Sequence, residues 1–246
     1  MRKIGEVKAG HKRGVAISRR RFSTTAAGLL VGGLAGCGGG ADTVPGPVLS
    51  VDADGSSTIN LYNLDAQLAT TPATPLSAAE AASLRFMREE EQLAHDVYAV
   101  SAALWARAIF ANITTSEETH SAAVKTLMDR YQLVDPLAGL PNGTFKTPAF
   151  QAMYDTLVAT SRVSLVEALK VGVEIEELDI RDITALKADI DNTDILLIFE
   201  NLLRGSRNHL RAFMRALTQQ GGAYVPKYIS QAEFDAIVTT PSETGR

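Results

Sequence analysis

The amino-acid sequence predicts an all-α protein whose main domain is a bundle of four long helices. Three observations lead there. From Leu76 onward apolar residues recur three and four apart, with no strand-like alternation. Turn and capping residues divide that pattern into long segments. A single cysteine in 246 residues excludes an internal disulfide, so a chain that is 46% hydrophobic must be held by packing.

The first segment, residues 1–36, reads as a signal peptide. It holds eight of the 24 Lys and Arg but one of the 28 Asp and Glu. Ser18-Arg19-Arg20-Arg21-Phe22 precedes an apolar, Gly-rich run from Ala26 to Ala35, too short to span a bilayer, and resembles a twin-arginine signal. Leu34-Ala35-Gly36-Cys37 closes the run and resembles a lipobox, in which the Cys37 thiol takes a lipid after cleavage. The expectation is export by the twin-arginine route and a lipid anchor on Cys37, placing the chain on the periplasmic or cell-surface side of a bacterial membrane.

What remains is acidic, with 27 Asp and Glu against 16 Lys and Arg, a net of −11. Such a surface has no footprint for a phosphate backbone, so nucleic acid is not an expected partner. Residues 37–76 are rich in Gly, Ser, Thr and Pro and read as a flexible tether. Asp52, Asp54 and Gly55 have part of a calcium-loop spacing, but the downstream ligands are missing and they are assigned to the tether.

The four-helix domain is expected over residues 77–238, with a tail at 239–246. Ser77 with Glu80 has the form of a capping box, starting a helix that runs to about Ala108. A second begins near Thr115 or Ser116 and ends near Leu133, before Asp135-Pro136. Pro136, Gly139, Pro141, Asn142 and Gly143 mark a long connection that includes a short extra helix, Ala149 to Ala159. The third long helix starts after Ser164 and continues to about Ile190. The fourth starts after Asn192 and ends near Gln220, before Gly221-Gly222. Tyr224, Pro226 and Tyr228 lie in a C-terminal extension expected to pack along the outside.

A carboxylate on the apolar stripe of a bundle helix must be paired, protonated or bound to metal. On the second helix Ile113, Glu117, His120, Val124, Leu127 and Tyr131 share a face, so Glu117 and His120 point inward. On the third, Glu176 interrupts the row Leu165, Leu169, Val173, Ile180 and Ile183. On the fourth, Leu202, Ser206, His209 and Phe213 fall on one side. On the first, both Glu90 and Glu91 could face inward, and periodicity does not choose between them. Carboxylates from two helices with Glu-x-x-His segments on two others are the ligand set of ferritin-like di-iron and di-manganese bundles. Glu117-Glu118-Thr119-His120 supplies one such segment, with both ligands on one helical face.

The segments Met87-Arg88-Glu89-Glu90-Glu91, Ser116 to His120, Glu174 to Ile180 and Gly205 to Phe213 resemble the ferritin-like family labelled domain of unknown function 2202, over about residues 77–238. The wider ferritin-like superfamily places a tyrosine near the site seven residues after the first-helix glutamate, and Glu91 with Tyr98 is similar to that pair. The resemblance therefore implies Glu91, Glu117 and Glu176 as carboxylate ligands, Glu117 bridging, with His120 and His209 as nitrogen ligands. Ser206 departs from the pattern, standing where a second Glu-x-x-His would have Glu.

The functional expectation is a carboxylate-bridged di-iron site handling oxygen, peroxide or iron itself, with manganese or zinc as other ions that suit these ligands. The alternative is a lipid-anchored helical module that binds a protein partner, its inward charges hydrogen-bonded to one another or to Arg88, Arg207 and Arg211. Residues 1–246 contain no Gly-rich phosphate loop or nucleophile elbow.

Overall fold

The computed structural model describes residues 46–244, and the arginine motif, the lipobox and Cys37 lie outside the described residues. The described residues begin with a hairpin of two short antiparallel strands, β1 (Leu49–Val51) and β2 (Ser57–Ile59), in which Leu49 faces Ile59. Seven helices follow: α1 (Leu61–Thr70), α2 (Ala78–Trp105), α3 (Ala108–Arg130), α4 (Pro148–Ser161), α5 (Leu165–Leu186), α6 (Thr193–Gln219) and α7 (Gln231–Val238). A single 3-10 turn, Lys187–Asp189, extends α5. The protein is thus mostly helical, as expected.

The four long helices are α2, α3, α5 and α6. Helix α2 pairs with α3 and α5 with α6, and the pairs join through α3 against α6 and α2 against α5. Their inward rows meet in one core that includes Met87, Val97, Val124, Leu127, Val173, Ile180, Leu202 and Phe213. The capping box forms as expected, with Ser77 Oγ accepting from Glu80 N at 3.1 Å and Glu80 Oε2 from Ser77 N at 2.8 Å. Glu80 does more than cap its own helix. Its other oxygen accepts from Asn192 N at 2.9 Å and ties the start of α2 to the start of α6.

Helix α3 begins seven residues before the expected Thr115. The chain turns at Ala106, whose φ of 47° lies in the left-handed region, and is helical again from Ala108. Thr114, Thr115 and Ser116 are not caps. Their hydroxyls donate back to the carbonyls of Phe110, Ala111 and Asn112, so cap-like residue types sit inside a helix that Phe110 and Ile113 anchor to the core. The extra helix α4 starts one residue earlier than expected, with Pro148 in its first turn, and packs against α2 and α5.

The tether assignment does not hold over residues 46–71, which are folded onto the long helices. Val48, Leu49, Ile59, Leu64 and Leu68 are buried, and Ile59 N donates to Thr119 Oγ1 at 3.0 Å. Asp52, Asp54 and Gly55 form the hairpin turn rather than tether. Gly55 has φ of +100°, and a Cβ there would sit 2.9 Å from the Ala212 methyl, so both conformation and space require glycine. These elements escape a periodicity search because each buries only one or two apolar residues, Leu49 from β1, Ile59 from β2 and Leu64 and Leu68 from α1.

The C-terminal extension packs as expected. Tyr224 Oη donates to Glu177 Oε2 at 2.7 Å, and α7 rests on α6 through Phe234 and Ile237. The expected tail is also docked as far as Glu243, whose carboxylate pairs with Arg207 and Arg211. Among the described residues no helix is long and apolar enough to cross a membrane.

Candidate metal centre

Each long helix delivers one or two polar side chains to the middle of the core. Helix α2 brings Glu91 and, two turns on, Tyr98. Helix α3 brings Glu117 and His120, α5 brings Glu176, and α6 brings His209. All are 0–1% exposed. Two glycines make the approach possible. A Cβ at Gly205 would lie 2.6 Å from His120 Cε1, and one at Gly172 would lie 2.5 Å from the Phe213 ring, which packs on Tyr98 at 5.0 Å.

The five expected ligands come together as two groups that share Glu117. In one, His120 Nδ1 lies 2.9 Å from Glu117 Oε2 and 3.5 Å from Glu91 Oε2. In the other, His209 Nδ1 lies 2.8 Å from Glu117 Oε1 and 3.5 Å from Glu176 Oε2. Within each group the ligand atoms lie within 4.8 Å of one another. The imidazole rings stack nearly parallel, 13° apart with centroids at 5.4 Å. Tyr98 Oη donates to Glu176 Oε1 at 2.7 Å, which leaves Oε2 as the oxygen facing the histidine.

The residues present fit metal ions. Buried carboxylate and imidazole atoms need partners. Among the described residues, both oxygens of Glu91, Glu117 Oε1, Glu176 Oε2 and His209 Nδ1 have no hydrogen-bond partner. Glu117 Oε1 and His209 Nδ1 are close enough to bond but are misaligned for it, as atoms aimed at a common third point would be. An ion with bonds of about 2.1 Å sets its ligands about 3 to 4 Å apart, and the His–Glu distances of 2.8 to 3.5 Å in the two groups lie close to that.

The protonation pattern follows from crowding. Burial opposes charge on both histidines, but the adjacent carboxylates win. Glu117 and Glu91 raise His120 to about 9, and Glu117 and Glu176 raise His209 to about 10. Burial would raise Glu117 too, yet the two imidazoliums hold it far below the usual range. Glu91, pushed up by burial and by Glu117 against the pull of His120, reaches about 7. Burial and Glu117 likewise raise Glu176, against His209. Without ions, two imidazolium protons therefore balance much of the carboxylate charge.

Residues 80–241 match the family described as "Uncharacterized protein domain (DUF2202)". This chain belongs to the DUF2202 family. It is also similar to "Uncharacterized protein MJ0754" of Methanocaldococcus jannaschii, at 44% identity over 178 residues, which are 72% of this chain and 96% of that protein. A crystal structure of hypothetical protein MJ0754 from Methanococcus jannaschii DSM 2661 superposes with a TM-score of 0.69 at 45% identity. It covers 70% of this chain and 98% of that one. These names carry no activity.

Within this DUF2202 domain the remaining polar residues sort by position. Glu91, rather than Glu90, joins Glu117 and His120. Glu90 is buried beside Asp182 and Arg181, its carboxyl raised well above the usual range by burial and by Asp182. His95 pairs with Asp96 at 2.8 Å, away from both groups. Arg88, Arg207 and Arg211, the cations that could have neutralised the cluster, are engaged with Asp135, Glu243 and the α7 end instead. Ser206 Oγ donates back to Leu202 O at 3.1 Å.

Two residues at the site were not expected. Asp179, one turn beyond Glu176, is 1% exposed with Oδ1 unpartnered. Burial, then the charges of Glu90, Glu91, Glu176 and Glu117, push its carboxyl well above the usual range. The spacing of three from Glu176 was a readable signal, masked by the aliphatic run around it. Ser57 of β2 had no signal in the sequence. Its Oγ lies 3.1 Å from His120 Nε2 and 2.9 Å from His209 Nε2.

Proposed function

We propose that this chain is a ferritin-like four-helix protein holding a carboxylate-bridged dinuclear metal site. Iron is the leading ion, with manganese or zinc accommodated by the same ligands. One observation carries the reading: the two oxygens of Glu117 each face the Nδ1 of a different histidine, with a further carboxylate beside each. In that arrangement Glu117 would be shared between two ions, and one His and one further Glu would hold each. The order of the helices supports it, since two helix pairs joined by a long connection match the ferritin-like pattern with one crossover.

Bound redox-active ions would supply electron transfer to oxygen or peroxide, or oxidation of iron brought in as substrate. The chain's own residues set the conditions. Glu117 holds the two positions at a fixed separation, and Glu91 and Glu176 provide charge at either end. Tyr98 orients Glu176 through its hydroxyl. The aliphatic and aromatic side chains around them exclude water, which strengthens every charge interaction inside.

Anaerobic reconstitution with iron(II), manganese(II) and zinc(II), followed by metal analysis, tests the reading. Two ions per chain are expected, falling to at most a trace in the Glu117→Ala, His120→Ala double variant. A well-folded wild-type chain that takes up none of the three ions would leave the cluster a structural set of buried charges.

We also propose that the chain is exported and lipid-anchored through Cys37. Ser18-Arg19-Arg20-Arg21-Phe22 and Leu34-Ala35-Gly36-Cys37, at either end of the apolar run, support this.

A further inference from the structure

The N-terminal hairpin reaches the centre of the protein at one point, Ser57. Its backbone N donates to Ser116 Oγ on α3 at 2.9 Å, and the residue is 1% exposed. Its hydroxyl oxygen stands between the two stacked imidazoles, at the nitrogens opposite those that face the carboxylates. A Cβ at Gly205 would come within 2.9 Å of this oxygen, so α6 is cut away to admit it.

Each imidazole has two inequivalent nitrogens, and the bond made by one decides which form the other takes. A lone pair on Nδ1, free for an ion, requires the hydrogen on Nε2. A serine oxygen has two acceptor sites, so it can take a hydrogen bond from both Nε2–H groups at once. We propose that Ser57 is a positioning residue that holds both His120 and His209 with Nε2 as the hydrogen-bearing nitrogen, keeping both Nδ1 atoms directed at the two ion positions.

The proposal builds on the dinuclear reading, and it makes the hairpin part of the site rather than a leader to it. The two histidines come from different helices, α3 and α6, yet one hydroxyl orients both. A single substitution should therefore loosen both halves of the site together, whereas a substitution at Glu91 or Glu176 loosens one.

The test uses the full chain with 15N-labelled histidine, as wild type, Ser57→Ala and Ser57→Thr, followed by NMR and zinc(II) titration. In zinc-loaded wild type both histidines should show an Nε2–H in slow exchange with solvent. Ser57→Ala should lose that protection at both rings and bind zinc about 10- to 100-fold more weakly, the usual cost of removing a hydrogen-bond partner of a ligating histidine. Ser57→Thr, which keeps the hydroxyl, should stay within a few-fold of wild type. The proposal is overturned if either wild-type histidine carries its hydrogen on Nδ1 alone, or if Ser57→Ala leaves both protection and affinity unchanged.

Failure of the dinuclear reading looks different. Wild type would then bind no zinc, while the metal-free spectra would still report the role of Ser57. Loss of Nε2–H protection at both rings in Ser57→Ala would support it, and unchanged protection would overturn it. Because wild type alone reveals which nitrogen bears hydrogen, a misfolded alanine variant does not remove the test.

Discussion

Glu117 Oε1 and His209 Nδ1 lie 2.8 Å apart across the α3–α6 contact as an ion pair, while beside them both oxygens of Glu91 have no hydrogen-bond partner among the described residues. Buried groups left so cost on the order of 1 to 3 kcal/mol each. The metal-free protein is therefore expected to tolerate a strained core, and ions that bind only the folded state should relieve it. Thermal unfolding should shift upward on adding iron(II), manganese(II) or zinc(II) at a large excess over Kd, by about 3 kcal/mol at a hundredfold excess. A melting temperature unmoved by all three ions would contradict this.

Stability without metal should fall as pH rises. His120 and His209 are raised to about 9 and 10 in the folded state, above the usual histidine value of 6.5, so their contribution is full below pH 6.5 and is lost as pH climbs through 9 and 10. Glu91, raised to about 7, adds a loss that begins above pH 4.5 and is complete past 7. Each group removes on the order of 1 kcal/mol per pH unit within its window. Denaturant unfolding between pH 5 and pH 10 should show the decline, and Glu117→Gln, which removes the charge holding both imidazoliums, should flatten its upper half.

Asp179 offers a sharper version of the same experiment. Its carboxyl is raised by burial and by four neighbouring carboxylates, so Asp179→Asn copies the protonated form. The variant should match wild type below about pH 3.8, the ordinary aspartate value, and exceed it increasingly as pH rises above that, where the wild-type carboxyl ionises in the unfolded chain but is held protonated on folding. Its metal affinity should drop, because only the wild-type carboxyl can release its proton and supply a negative charge when cations enter. Equal pH profiles for the two proteins would refute the crowding argument.

Gly205→Ala should act on the site through space alone. The new methyl would meet His120 Cε1 at 2.6 Å and Ser57 Oγ at 2.9 Å, displacing the ring and the hairpin together. Overpacking of this kind costs about 1 to 3 kcal/mol. The expected readouts are lower stability by that amount and weaker zinc binding; an unchanged zinc affinity would mean that the ring position is not critical.

Export makes a prediction independent of the core. Mass spectrometry of membrane fractions should find an acylated N-terminal Cys37, and Cys37→Ala should accumulate with residues 1–36 attached. Recovery of wild type mainly as a soluble chain with those residues intact would rule it out.

The helical character, the capping box at Ser77 and the inward direction of Glu117, His120, Glu176 and His209 were all legible in the sequence. The reason is that a helix repeats every 3.6 residues, so a long segment states its own buried face. The choice of Glu91 over Glu90 was not legible from period alone, because the broad stripe of α2 buries Glu89, Glu90 and Glu91 alike. Resemblance chose Glu91, and packing against α3 places it beside His120. The start of α3 was misplaced because Thr114, Thr115 and Ser116 have the chemistry of caps wherever they stand, and only the surrounding core decides whether their hydroxyls turn back along a helix. The hairpin was missed for a related reason. Three-residue strands carry too few side chains to show a pattern, and their pairing joins residues that nothing local links. Ser57 bonds histidines 63 and 152 residues away. A contact of that span is settled by tertiary packing alone, since serine in a polar stretch offers the same local signal whether it lies in a loop or at the centre of the protein.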